Sequence, residues 1–276
     1  MTSPRLCLLL AIFAAAADAQ WLNHAVPGIP RGRDGKPDLK APAPKMADGK
    51  PDLSGVWQIE PTPVAELKRS LGGLFAAVES FSVPGMDLAD GASKYFLSVF
   101  ADYKPDEAPK QRPGVSVPPE KGLCLPLGFV TEEVIPAPHK IVQTSQQLVV
   151  MYEDDGTRRQ IYVDGRKLPK EFPEPTWLGY SAGAWEGDTL VVQSAGFNDR
   201  TRLDLLRHPH SEGLHIVERY HRRDFGHMDV EMTFDDPQMY DKPFRISFTD
   251  DLLPDTDVLE TVCNENERDA THLGHK

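Results

Sequence analysis

Cysteine is scarce in this chain, with three in 276 residues. Cys7 lies in an apolar N-terminal run, so only Cys124 and Cys263 remain for the body of the protein. They are read as one bridge tying the segment before the sheet to its last strand, because disulfides persist in exported chains. A reactive thiol is the alternative, but no basic neighbour that would stabilise a thiolate can be identified. Positive charge is also short: 30 Lys and Arg stand against 42 Asp and Glu, a formal net charge of −12. No nucleic-acid partner is expected, since phosphates must be met by clustered cations, and the acidic balance serves solubility. Beyond the N-terminus no apolar run approaches the roughly 20 residues that span a bilayer as a helix, so no transmembrane segment is expected.

What is present divides the chain into parts. Residues 1–19 carry Arg5, an apolar stretch from Leu6 to Ala17 and a small-residue cleavage signal, Ala17-Asp18-Ala19, before Gln20. That is the pattern of a secretory signal peptide, and the mature protein is expected in the periplasm or the medium. Residues 20–53 are rich in Pro, Gly and Lys and read as an extended tether or wrapping arm. The hexapeptide DGKPDL occurs there twice, at 34–39 and 48–53, too few copies for a solenoid. Residues 54–276 are expected to form a single domain, a length that β barrels reach as one unit. Within it, 64–103 breaks the β rhythm. Val64, Leu67, Leu71, Leu74, Phe75 and Val78 recur at helical spacing, weakened by Gly72-Gly73, and a second short helix is expected in 91–103.

The remainder reads as hairpins. Leu148–Val163 folds on Asp155-Gly156, Trp177–Phe197 on Glu186-Gly187-Asp188, and Leu214–Phe234 on Phe225-Gly226; each pairs runs of β-branched and aromatic residues around a turn. Alternation assigns faces. Leu214, Ile216, Glu218 and Tyr220 share one side, and Met228, Val230, Met232 and Phe234 share one side of the next strand, with Phe244, Ile246 and Phe248 continuing the apolar surface. Successive hairpins with one greasy face must curl or stack. The fold class is therefore all-β, an antiparallel meander closed as a barrel, with a sandwich as the alternative.

Ser54-Gly55-Val56-Trp57-Gln58 reads as a first strand, and its Gly-x-Trp is similar to the start of lipocalin barrels, where the Trp plugs the floor. DGKPDLSGVW at 48–57, HKIVQTSQQLVVMYE at 139–153, IYVDGR at 161–166, and PTWLGYSAGAWEGDTLVVQSAGFNDRTRLD with HPHSEGLHIVERYHRRDFGHM after it resemble a large family of exported bacterial proteins, found in acidobacterial and proteobacterial genomes. The resemblance covers most of the mature chain and implies a lipocalin-like barrel, but no particular chemistry. Gln193 departs from the pattern, which leads one to expect an acidic residue there.

Candidate chemistry follows from the interior face. Gly179-Tyr180-Ser181-Ala182-Gly183 matches the G-x-S-x-G nucleophile elbow, but no helix follows it and there is no βαβ alternation, so it reads as small residues at a strand start. His208-Pro209-His210, with Glu212 and His215, offers zinc-type donors, but a loop pair supplies two ligands at most and no metal is expected. Asp164-Gly165-Arg166 reads as a turn, with Arg166 a candidate clamp for an anionic group. The leading function is a binding protein whose interior, lined by Trp57, Met228, Met232, Phe234, Phe244 and Phe248, holds a small apolar or aromatic molecule, with Arg166 and Tyr220 as further ligand contacts and no cofactor. The alternative is a cofactor-free hydrolase, lyase or isomerase using Glu218 with His210 or His221 at the barrel mouth. A plainer role for Glu218 is a buried carboxylate satisfied by an Arg such as Arg166. Oligomeric state is not legible.

Overall fold

The computed structural model describes residues 25–60, 62–63, 92–93, 107–113, 125–135, 137–154, 156–204 and 207–261. In chain order the elements are β1 (Gly55–Ile59), β2 (Thr62–Pro63), β3 (Ala92–Ser93), α1 (Phe129–Val134), β4 (His139–Gln143), β5 (Gln147–Tyr152), β6 (Arg158–Tyr162), β7 (Tyr180–Glu186), β8 (Thr189–Ala195), β9 (His215–Arg222), β10 (His227–Asp235) and β11 (Phe244–Leu252). β1 and β4 to β11 close into a nine-stranded barrel, in which β1 sits between β11 and β4. The barrel, not the sandwich, is the architecture.

All three expected hairpins are present. β7 and β8 pair from Tyr180↔Ala195 to Glu186↔Thr189, leaving the two-residue loop Gly187-Asp188, where Gly187 has φ 63°. That conformation is open to Gly without the Cβ clash other residues meet. The meander departs from the expected all-antiparallel pattern at one seam: β6 and β7 pair in parallel, over Ile161↔Ser181 and Tyr162↔Ala182 alone. Directions cannot alternate all the way round a closed ring of an odd number of strands, so at least one parallel neighbour pair is obligatory. A parallel pair also needs a long crossover rather than a tight turn, and residues 163–179 supply it.

Period-two alternation sends the residues expected to face inward into the core. Met228, Met232 and Phe234 are fully buried, with Val230, Phe244 and Ile246 close behind, and the Phe234 and Phe244 rings stack with centroids 4.8 Å apart. Burying each such side chain contributes roughly 1.5–3 kcal/mol. Phe248 is only partly buried and packs at the edge of this cluster.

The arm closes one end. Its two DGKPDL copies fold alike, each as a small loop closed by a bridge, Arg31↔Pro37 in one and Lys45↔Pro51 in the other. In both, the Asp side chain accepts the N–H two residues on, Lys36 to Asp34 at 3.1 Å and Lys50 to Asp48 at 3.0 Å, the Asx-turn preference of that residue. The first copy lies on the β9–β10 turn, where the Gly226 N–H donates to the Leu39 carbonyl at 2.8 Å. The second runs into β1 with Leu53 and Trp57 fully buried. The Trp57 indole donates to the Leu53 carbonyl at 3.0 Å, and the Arg222 guanidinium lies 4.8 Å from its ring while donating to the Asp52 carbonyl at 2.6 Å. Burial pulls Arg222 down to about 10. At the opposite end, against the connection that follows β8, sits α1, where Thr131 donates to the Arg202 carbonyl at 2.8 Å and all six residues are buried.

Ala92–Ser93, expected at the start of a short helix, instead pairs with Thr62–Pro63 as a two-residue ribbon. The rest of the helical insertion expected at 64–103, residues 1–19, Asp155, Cys124 and Cys263 lie outside the described residues. No helix among the described residues is long and apolar enough to cross a membrane.

Candidate functional site

The barrel carries a charged node among its apolar side chains. Arg159, first inward residue of β6, is 2% exposed and forks onto Glu218 of β9, with Nη1 to Oε1 at 2.8 Å and Nη2 to Oε2 at 2.5 Å. Its remaining donors reach the Ser181 hydroxyl at 3.0 and 3.1 Å and the Ser194 hydroxyl at 2.8 Å. Ser194 spends its proton on Glu218 at 3.0 Å, so Ser181 is the donor in the 2.9 Å contact between the two serines. Tyr220 donates to Glu218 Oε1 at 2.6 Å. Phe129 of α1 puts its ring 3.8 Å from the guanidinium, a cation–π contact that a planar Arg makes well. Every polar atom of the fork is matched, so Glu218 is a satisfied ion-pair partner.

Next to this node lies a less satisfied group. Glu133, from α1, accepts the Tyr152 hydroxyl at 2.6 Å on Oε1 and stands 4.0 Å from Arg159. Its Oε2, His139 Nε2 and both Asp250 carboxylate oxygens are buried without a hydrogen-bond partner. His139 and Asp250 approach to 3.7 Å, and one donor atom from each of the three residues lies within 4.8 Å of the other two. Burial raises Glu133 to about 7, partly offset by Arg159 and the Tyr152 hydrogen bond. It lowers His139 to about 4 and holds Asp250 well above the usual carboxylate range, reinforced by Glu133. Desolvation acts on all three because an ion loses its hydration there.

The parallel seam opens outward as a groove of about 750 Å³ between β6, β7 and the crossover. Tyr162, Trp177 and Tyr180 give it aromatic walls, Leu168 and Leu178 apolar ones, and Arg159 and Ser181 border it from the barrel side.

The positions singled out in the sequence scatter over these features. Glu218 and Tyr220 meet in the charged node, but the arginine there is Arg159. Arg166 instead forks onto Asp164, with Nη2 to Oδ2 at 2.7 Å, and stacks on Tyr162 at 3.7 Å at the edge of the groove. Neither histidine joins Glu218. His221 alternates outward between Tyr220 and Arg222, half exposed, and faces Asp229 at 3.8 Å. His210 is buried elsewhere: its Nδ1 donates to the Ser211 carbonyl at 3.1 Å, so Nε2 accepts from the Thr201 hydroxyl at 2.6 Å. Of the other loop donors, His208 is bound to Asp204 at 2.6 Å. Trp57 closes the arm end, while Met228, Met232 and Phe234 fill the interior, packed in one cluster.

Sequence reasoning missed Arg159, Glu133, His139, Asp250 and Ser194. The alternation Arg159-Gln160-Ile161 was a usable signal, since an inward Ile161 places Arg159 on the same face. Searches against protein-family models, curated proteins and solved structures return no match.

Proposed function

We propose that this is an exported binding protein, and that its barrel takes a small apolar or aromatic molecule at the parallel seam instead of in the packed interior. The observation that carries the reading is the groove itself. A two-pair ladder between β6 and β7 leaves a concavity of about 750 Å³, within the size range of small-molecule sites, and its aromatic and apolar side chains share the lining with four cations, Arg158, Arg159, Arg166 and Lys167. Arg158 and Lys167, both exposed on the lining, suit a ligand ring that carries an anionic substituent. The signal-like residues 1–19 support export.

The enzymatic alternative needs Glu218 and a histidine in proton-transfer reach. Glu218 is instead saturated by Arg159, Ser194 and Tyr220, so binding is favoured.

The test uses 1-anilinonaphthalene-8-sulfonate, an aromatic anion whose emission reports apolar seats. One saturable equivalent is expected, with Trp177→Ala weakening it about tenfold through loss of a stacking surface. Met232→Ala, inside the barrel, should leave the affinity within twofold. Affinity that ignores Trp177 and follows Met232 would overturn the seam assignment, and absence of saturable binding would overturn the reading itself.

A further inference from the structure

Glu133, His139 and Asp250 have no part in the groove and are not explained by packing. Three polar side chains, each at most 2% exposed, converge from α1, β4 and β11 with four donor atoms that nothing hydrogen-bonds. Leaving one such atom unmatched costs about 1–3 kcal/mol, so four in one place call for a common partner. The chemistry of the set defines that partner. One imidazole nitrogen and two carboxylates are hard-to-borderline donors, the mixture that divalent first-row cations take.

We propose that Glu133 Oε2, His139 Nε2 and an Asp250 carboxylate oxygen form a binding site for one divalent transition-metal ion, zinc being the best fit. A tetrahedral zinc with bonds of about 2.0–2.1 Å holds its ligand atoms roughly 3.4 Å apart. The His139–Asp250 contact of 3.7 Å is already near this, and a separation of at most 4.8 Å for the other pairs closes with small side-chain rotations. Two carboxylates balance the charge of the cation, while Arg159 is already matched by Glu218. Tyr152 has the part of an outer-shell partner: by occupying Glu133 Oε1 at 2.6 Å it turns Oε2 toward the site, as partners of metal ligands do. The His208-Pro209-His210 loop does not contribute: His210 is engaged at both ring nitrogens by Thr201 and Ser211, and His208 is held at Nδ1 by Asp204.

The full chain, produced in medium supplemented with zinc or with cobalt so that the site fills during folding, should retain one equivalent of metal per chain through dialysis. The cobalt form should show the visible absorption of a low-symmetry four-coordinate ion. His139→Gln and Asp250→Asn, which remove one donor each with little change of shape, should lower retained metal at least tenfold. Tyr152→Phe, which keeps all three ligands, should weaken affinity about 10–100-fold, and it keeps the test open if a ligand variant folds poorly. Wild-type chain with no retained metal, or metal retained equally by all three variants through surface histidines, would overturn the proposal. Neither result touches the groove, whose probe binding is measured separately.

Discussion

Glu218→Gln should destabilise the protein severely although it keeps the heavy-atom count and changes the shape little. The carboxylate presents two acceptors to Arg159, at 2.8 and 2.5 Å, and also receives Tyr220 at 2.6 Å and Ser194 at 3.0 Å. An amide keeps one acceptor and turns an NH2 toward an Arg159 N–H, which has no lone pair to offer, although the hydroxyl beside it can reverse and accept. Arg159 cannot shed its proton and cannot reach water, being 2% exposed. Removing one member of a buried pair costs about 3–5 kcal/mol, most of it the penalty on the charge left behind. For a chain of this length that is a fall in Tm of about 6–20 °C.

The decisive comparison is with Arg159→Met/Glu218→Gln. Deleting both charges leaves neutral serines, tyrosine and amide that can pair among themselves, and replacing a whole buried ion pair is often close to neutral. Urea unfolding followed by tryptophan emission gives the four stabilities of the cycle. The double variant should recover at least about 2 kcal/mol relative to Glu218→Gln, within the range for coupled neighbours. If Glu218→Gln lies within about 1 kcal/mol of wild type, or the double variant is the least stable of all, the node is not the closed ion pair described above.

Two further perturbations address the arm and the loop after β8. Gly226→Ala places a Cβ 2.4 Å from the Leu39 Cβ and 2.9 Å from its carbonyl oxygen, so the arm must lift. A cost of about 1–3 kcal/mol is expected, with faster tryptic cleavage after Lys40; unchanged resistance to trypsin would count against the packed arm. His210 is lowered from 6.5 by burial, so the folded state binds fewer protons than the unfolded one between its folded pKa and 6.5. Its contribution is therefore intact above pH 6.5 and is lost as pH falls toward the folded value. Stability against pH should slope upward in that interval, and His210→Gln should flatten that slope. An equal slope in the variant would refute it.

The hairpins and the apolar lining were legible because their signals are local: alternation at 228–234, a Gly at each turn, a Trp two residues after a Gly. The candidate sites were not, because they depend on which strands become neighbours. His139 and Asp250 are 111 positions apart in the chain (250 − 139) and meet diagonally across β1, since Trp57 pairs with His139 and Ile59 with Asp250. Glu133 comes from a six-residue helix too short to show a period. Arg159 was masked by its neighbour Arg158, since two adjacent arginines read as a solvated pair until the pleat sends one of them inward. The partner assigned to Glu218 went to Arg166, which sits beside Asp164 in a turn and is matched locally.

The seam and the arm are linked by the same topology. With β6 and β7 parallel and the other ladders from β4 to β11 antiparallel, β4 and β11 run in the same direction. They cannot close on each other as antiparallel neighbours. A strand of the opposite sense between them makes both contacts antiparallel, and β1 is that strand, pairing with β11 through Trp57↔Leu252 and with β4 through Trp57↔His139. That strand is the continuation of the second DGKPDL copy, whose end is fixed by Arg222 at the Asp52 carbonyl and by Gln143 at the Leu53 N–H. Antiparallel closure of a barrel with a parallel seam at β6–β7 thus uses a ninth strand from outside the meander, and the repeat-bearing arm delivers it. Without β1 both β4 and β11 would be open edges, the feature that sheets must cover to stay monomeric.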